Sequence, residues 1–252
     1  MKHVTKILST AAFAALLSGS AAEAMSVTPV LVDLRTAGSQ ASGQIRVINT
    51  GDGAMPVSLT AKLATLGHNG ELSTTETGAD DLLVFPPQAI VQPNGTQVFR
   101  VQWAGDPDLK ESKTFVIDVA QQPVAMPEGV SGIQLIYDFQ VVVDVAPPSG
   151  DPALAIQTCE LTTDDKGARR AALTITNGSN VHGYLSGSKL RLELQDATGA
   201  KVWSQSWTPE EIAGRLGIGL VQPHANRRFI LPFDLPAGGT KLVAELSYEG
   251  RH

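Results

Sequence analysis

Apolar residues recur along this chain with a period of two, and a helical period is nearly absent. Alternation sends successive side chains to opposite faces of an extended backbone. Each such run is therefore committed to a sheet with one covered face. The runs are short: Ser26–Asp33, Gly43–Asn49, Met55–Ala64, Gln97–Trp103 and Thr114–Val119. Gly, Pro, Asn and Asp separate them, as in "INTGDG" (Ile48–Gly53), "FPPQ" (Phe85–Gln88) and "PNG" (Pro93–Gly95). This spacing predicts an antiparallel sandwich.

One run is longer than a small sandwich needs. From Ile133 to Val145, Ile133, Leu135, Tyr137 and Phe139 share one face and Gln134, Asp138 and Gln140 the other, with Ile136 the one break. Strands usually have about 5–6 residues, and this run would reach roughly 40 Å fully extended. Either it fills its own core, the usual fate of apolar strand residues, or its apolar face serves a partner. "PPSGDP" (Pro147–Pro152) then stops it with residues that suit a semi-stiff linker.

Beyond the linker the pattern restarts at Ala153–Leu161, Ala171–Asn177, Leu190–Gln195, Lys201–Ser206, Arg228–Phe233 and Lys241–Tyr248. One helix is predicted at "TPEEIAG" (Thr208–Gly214), where Thr208 caps, Pro209 suits the first turn, Glu211 completes a capping box and Gly214 stops it. The expected organisation is a leader over residues 1–24, one sandwich over 25–146, a linker over 147–152 and a second sandwich over 153–252. The leader has Lys2 and Lys6, an apolar stretch too short to span a bilayer, and an A-x-A cleavage signal at Ala22–Ala24. No later apolar run approaches the about 20 residues of a membrane span, so the mature chain is expected to be exported and to carry no integral membrane segment.

The residues exclude several function classes. A net charge of −6 with no basic stripe argues against a nucleic-acid partner. The five histidines include no pair at metal-ligand spacing, and each mature one reads as a surface or loop residue. No nucleophile elbow or phosphate loop is present, and "GRLGIG" (Gly214–Gly219) follows a helix signal where a phosphate loop follows a strand. The chain is therefore expected to be no enzyme, with no metal and no cofactor. Cys159 is the sole cysteine, so no internal disulfide can form. It reads as a buried small apolar residue. Trp103, Trp203 and Trp207 read as filling or rimming the sandwiches.

The order of motifs resembles the periplasmic chaperones of chaperone–usher pilus assembly. "MSVTPVLVDL" (Met25–Leu34), "IRVINTG" (Ile45–Gly51), "FPPQAIVQPNGTQVFRV" (Phe85–Val101), "DLKESKTFVIDVAQQPV" (Asp108–Val124) and "LTITNGSN" (Leu173–Asn180) carry the likeness across nearly the whole mature chain. The resemblance implies an all-β protein of two immunoglobulin-like sandwiches in a boomerang. It implies a periplasmic, ATP-independent chaperone that donates the last strand of its first domain to an incomplete subunit. Its partners would be exported pilus or surface-polymer subunits and an outer-membrane usher, and its subunit-binding strand would present Ile133, Leu135, Tyr137 and Phe139. Members of the family anchor the subunit's terminal carboxylate with an arginine and a lysine; Leu31 and Val142 stand at those places here. Arg35, Arg46 and Arg100 are the candidate substitutes. The alternative reading is a structural or adaptor sandwich of a cell-envelope assembly.

Overall fold

A computed structural model describes residues 25–124 and 135–250. The expected leader and Ile133 lie outside the described residues. The first half contributes β1 (Met25–Thr28), β2 (Leu31–Arg35), β3 (Ser42–Asn49), β4 (Met55–Leu66), β5 (Leu72–Thr75), β6 (Leu82–Phe85), β7 (Gln88–Val91), β8 (Thr96–Trp103), β9 (Lys113–Gln121) and β10 (Asp138–Ala146). The second half contributes β11 (Leu154–Thr163), β12 (Arg169–Asn177), β13 (Gly183–Tyr184), β14 (Ser188–Gln195), β15 (Lys201–Trp207), α1 (Pro209–Leu216), β16 (Leu220–Val221), β17 (Asn226–Ile230) and β18 (Lys241–Tyr248). The chain is predominantly β-sheet, in an arrangement consistent with immunoglobulin-like sandwiches.

In the first half one sheet runs β1-β3-β8-β6 and the other β2-β10-β9-β4-β5, with β7 also pairing β4. Ile45, Val47, Phe99 and Val101 face Val57, Phe115, Ile117, Val141, Val143 and Val145 in one core. The expected strand Ser26–Asp33 is two strands in different sheets. Pro29 lacks an N–H and cannot continue a ladder, so β1 pairs antiparallel with β3 and β2 crosses to pair parallel with β10.

Strand structure stops at Ala146 and resumes at Leu154. A second core gathers Leu173, Ile175, Leu190, Leu192, Leu194, Trp207, Ile212 and Leu231. The predicted capping box is present: the Glu211 N–H donates to Thr208 Oγ1 and the Thr208 N–H to the Glu211 carboxylate. The helix runs past Gly214, because Leu216 packs against the second core and Gly217, at φ 73°, makes the stop.

Two buried asparagines hold corresponding corners. Asn49 donates to the carbonyls of Gly53 at 2.7 Å and Val91 at 3.1 Å, and its Oδ1 accepts from the Gly51 N–H. Asn177 donates to Val181 at 2.8 Å and Val221 at 3.2 Å, and accepts from Ser179. Each is the last residue of its strand. Each pins the turn after that strand by bonding its carbonyls and accepting from one of its N–H groups.

Candidate functional site

The expected strand Ile133–Val145 is shorter in the structure, beginning at Asp138. The reason lies in its neighbour. The last backbone bond between the two segments runs from the Gln121 N–H to the Tyr137 carbonyl at 2.9 Å. The Gln122 N–H turns away to Pro56, and Pro123 has no N–H to give Leu135.

The apolar row nevertheless keeps its face. Val141, Val143 and Val145 are core residues, and Phe139 and Tyr137 continue the same row as half-buried side chains packed on that core. The Tyr137 and Phe139 rings are 6.4 Å apart and 23° from parallel. Leu135 lies past the end of the cover and is 69% exposed; Ile136 is 51% exposed. Among the described residues the backbone edge is open as well. β2 pairs only with Val142–Ala146, starting where the Val142 N–H donates to the Val30 carbonyl at 3.0 Å. Upstream of Val142, no strand among the described residues pairs that side of β10.

Leu31 and Val142, the two substituted anchor positions, are direct partners in the β2–β10 ladder. Leu31 is buried in an apolar seam with Tyr184 and Leu220, against which Leu66, Val142 and Ile218 pack. This seam joins the two halves. Gln222 reinforces it by accepting from the Leu66 N–H at 2.9 Å and donating to the Ala64 carbonyl at 3.0 Å.

One step along the same face, Asp33 stands opposite Asp144. Asp144 is fully buried and accepts from Thr114 Oγ1 at 2.6 Å. The Tyr184 hydroxyl lies 2.7 Å from Asp144 Oδ2 and hydrogen-bonds Asp33 Oδ1 as well. His182 Nε2 is 3.4 Å from Asp33 Oδ1, and its Nδ1 is 3.0 Å from Ser112 Oγ. Burial pushes the Asp144 carboxyl up from the ordinary carboxylate range, an effect the nearby His182 charge opposes. Asp33, Asp144 and His182 each bring one potential ligand atom within 4.8 Å of the others. The Tyr184 hydroxyl bonds both carboxylates, so the group forms a hydrogen-bonded chain.

The three candidate arginines separate. Arg35 borders a cleft of about 510 Å³ between the halves, together with Asp33, Asp151, His182, Tyr184 and Glu249. Its guanidinium donates to the Pro147 carbonyl at 2.9 Å. Arg46 and Arg100 lie on the exposed face of the other sheet, Arg46 beside Val98 and Arg100 beside Phe85. The sequence reading missed Lys62. It shares a row with Val142 across β9, through the pairs Val142–Val116 and Val116–Lys62, and its ammonium meets Asp118 at 2.7 Å. Only the register of three strands brings Lys62 there, and no local pattern announces it.

His182 corrects one expectation, being buried in the seam where a surface or loop residue was predicted. His68 is exposed, as expected, and meets Asn226 at 2.8 Å. Cys159 is half-buried, and burial pushes its thiol up to about 11.

Solved structures share this fold. A chain of the chaperone–tip adhesin complex of CFA/I fimbriae biogenesis is 13% identical over 91% of this chain and 94% of its own, with a TM-score of 0.52. The class 5 fimbriae chaperone CfaA is 12% identical over 88% and 98%, also with a TM-score of 0.52. A chain of the Salmonella enterica SafA pilin–SafB chaperone complex is 12% identical over 89% and 97%, with a TM-score of 0.50. At these identities the likeness is one of fold. No protein-family model matches the chain, and no curated protein matches it in sequence.

Proposed function

We propose that this protein is a periplasmic, ATP-independent chaperone that captures exported pilus or surface-polymer subunits along the open edge of β10. The observation that carries this reading is Leu135, an exposed side chain continuing a core row at the point where the backbone edge loses its partner strand. An incomplete sandwich could pair its own edge with that backbone and take alternate side chains into its groove. Full burial of Leu135 would contribute about 1.5–3 kcal/mol, partly offset by the cost of ordering the segment. Ile133 and Leu135 would enter the client, while Tyr137 and Phe139 would support the strand from the chaperone's own core. In this reading residues 25–146 and 153–252 are two immunoglobulin-like domains in a boomerang, joined by 147–152 after removal of a leader. An outer-membrane usher would receive the loaded complex, and the work of release would come from client folding.

In the family the cleft binds a carboxylate through two cations. Here Leu31 and Val142 form an apolar seam, so capture would rest on the strand alone or use Arg35, the one candidate arginine bordering the cleft. The test is recovery of co-expressed client with wild type against Leu135→Asp, each checked for an intact fold. Loss of client from the stable variant is the expected result; equal recovery would remove strand donation.

The sealed seam also favours a second reading, a structural or adaptor sandwich of an envelope assembly. That reading predicts that the protein remains in the finished surface structure, where a chaperone is absent from it.

A further inference from the structure

We infer that Asp144 carries a proton in the folded protein and donates it to Tyr184, so that a Thr114–Asp144–Tyr184–Asp33 chain latches the two halves and is released as pH rises. The inference stands on geometry and does not depend on the chaperone reading.

The argument is a count of hydrogens. A tyrosine hydroxyl has one hydrogen and accepts through its oxygen. The Tyr184 oxygen is within bonding distance of Asp33 Oδ1 and 2.7 Å from Asp144 Oδ2. Two ionised carboxylates in those places would need two hydrogens from a group that has one. The second must come from a carboxyl. Asp33 opens to the cleft, with 45% of its side chain exposed and His182 Nε2 at 3.4 Å. Asp144 is fully buried, and losing water disfavours its charged form most. The proton therefore sits on Asp144 Oδ2, while Oδ1 accepts from Thr114. Tyr184 in turn donates to Asp33.

The neighbouring charges divide: Asp33 favours the proton on Asp144, and His182 opposes it. From β2, Asp33 is adjacent to Asp144 in the ladder, and Arg35 is turned to the Pro147 carbonyl. From β9, Lys113 pairs with Asp81, and Thr114 is neutral. From β4, Ala64 stands beside Thr114, and Lys62 is held by Asp118. From the second half, His182 faces Asp33, and burial holds the Tyr184 hydroxyl well above its ordinary value. Asp151 borders the same cleft and adds negative charge, and Glu249, also at its border, is paired with Lys189 at 2.7 Å. Ionising Asp144 would place a second carboxylate beside Asp33 with one hydroxyl hydrogen between them. Moving Tyr184, and with it the second half, relieves that repulsion.

The sign follows from linkage. A carboxyl whose folded value is raised binds its proton more tightly folded than unfolded. Stability from this group therefore increases as pH falls through the raised value toward the ordinary one near about 4, and is lost as pH rises. This is the reverse of a salt-bridged aspartate.

The test is infrared spectroscopy of the full chain at about pH 7, with thermal unfolding and small-angle scattering followed upward in pH. The expected results are a protonated-carboxyl C=O band in the wild type, its loss in Asp144→Asn, and a smaller fall in Tm with pH in that variant. The radius of gyration should grow with pH in the wild type and stay level in Asp144→Asn. Thr114→Val leaves the carboxyl in place and should shift the same band, a result that does not need the asparagine variant to fold. Absence of the band in folded wild type, a band unmoved by Thr114→Val, or matching pH profiles for wild type and Asp144→Asn would each overturn the inference.

Discussion

Leu31 and Val142 meet as partners in the parallel ladder of β2 and β10, and their side chains join the same apolar seam under Tyr184 and Leu220. The seam is what a small relative movement of the halves must break. Leu31→Ala should lower unfolding stability by about 2–4 kcal/mol, as buried leucine truncations do. Denaturant titration with both a first-half and a second-half probe measures this. A change of less than about 0.5 kcal/mol would show the seam to be slack.

The apolar row of β10 should divide by position. Leu135→Ser removes an exposed side chain and should change stability by no more than about 0.5 kcal/mol. Phe139→Ala strips a half-buried ring from the core row and should cost about 2 kcal/mol. Chemical denaturation of the two variants side by side reads the contrast. Equal losses would mean that Leu135 is covered in solution.

The asparagine corners should be sensitive to truncation and far less so to changes nearby. Asn49→Ala leaves the Gly51 N–H and several carbonyls without their partner and should cost roughly 2–3 kcal/mol. Asn177→Ala should behave alike in the second half. Ser179→Ala removes one contact to Asn177 and should cost under about 1 kcal/mol. Equilibrium unfolding of the three variants gives the ranking.

Cys159 should be a slow nucleophile. With burial pushing the thiol up to about 11, the thiolate fraction at mildly alkaline pH falls roughly a hundredfold below that of an ordinary cysteine. Because the folded thiol holds its proton more tightly, this group's contribution to stability declines between about pH 8.5 and about 11. Timed alkylation in native buffer and in denaturant should show fast labelling only in the latter.

Much of this was legible in the sequence. The capping box at Thr208 and Glu211 is a local signal, and it appears as read. So are the strands around Ile45, Phe99 and Ile117, where alternation and core facing agree. What the sequence hid depends on register. His182 looks like a loop histidine until Ser112 and Asp33, far away in the chain, close around it. Lys62 reaches the row of Val142 only through β9. The early start expected for β10 failed for a related reason: alternation describes side chains, whereas a ladder also needs donors, and Pro123 has none. The expectations for Arg46 and Arg100 rested on charge alone; their strands put them on an outer face, and only Arg35 borders the cleft.

The asparagine corners also bear on where such a chain can be made. Small secreted domains commonly rely on oxidised cysteines, and so on the compartment that oxidises them. Here side-chain amides fasten the turns, in both halves, with bonds that no reductant touches. Folding should therefore be indifferent to redox potential. The chain can be produced folded in a reducing cytoplasm, and the folded protein should be equally stable with and without dithiothreitol.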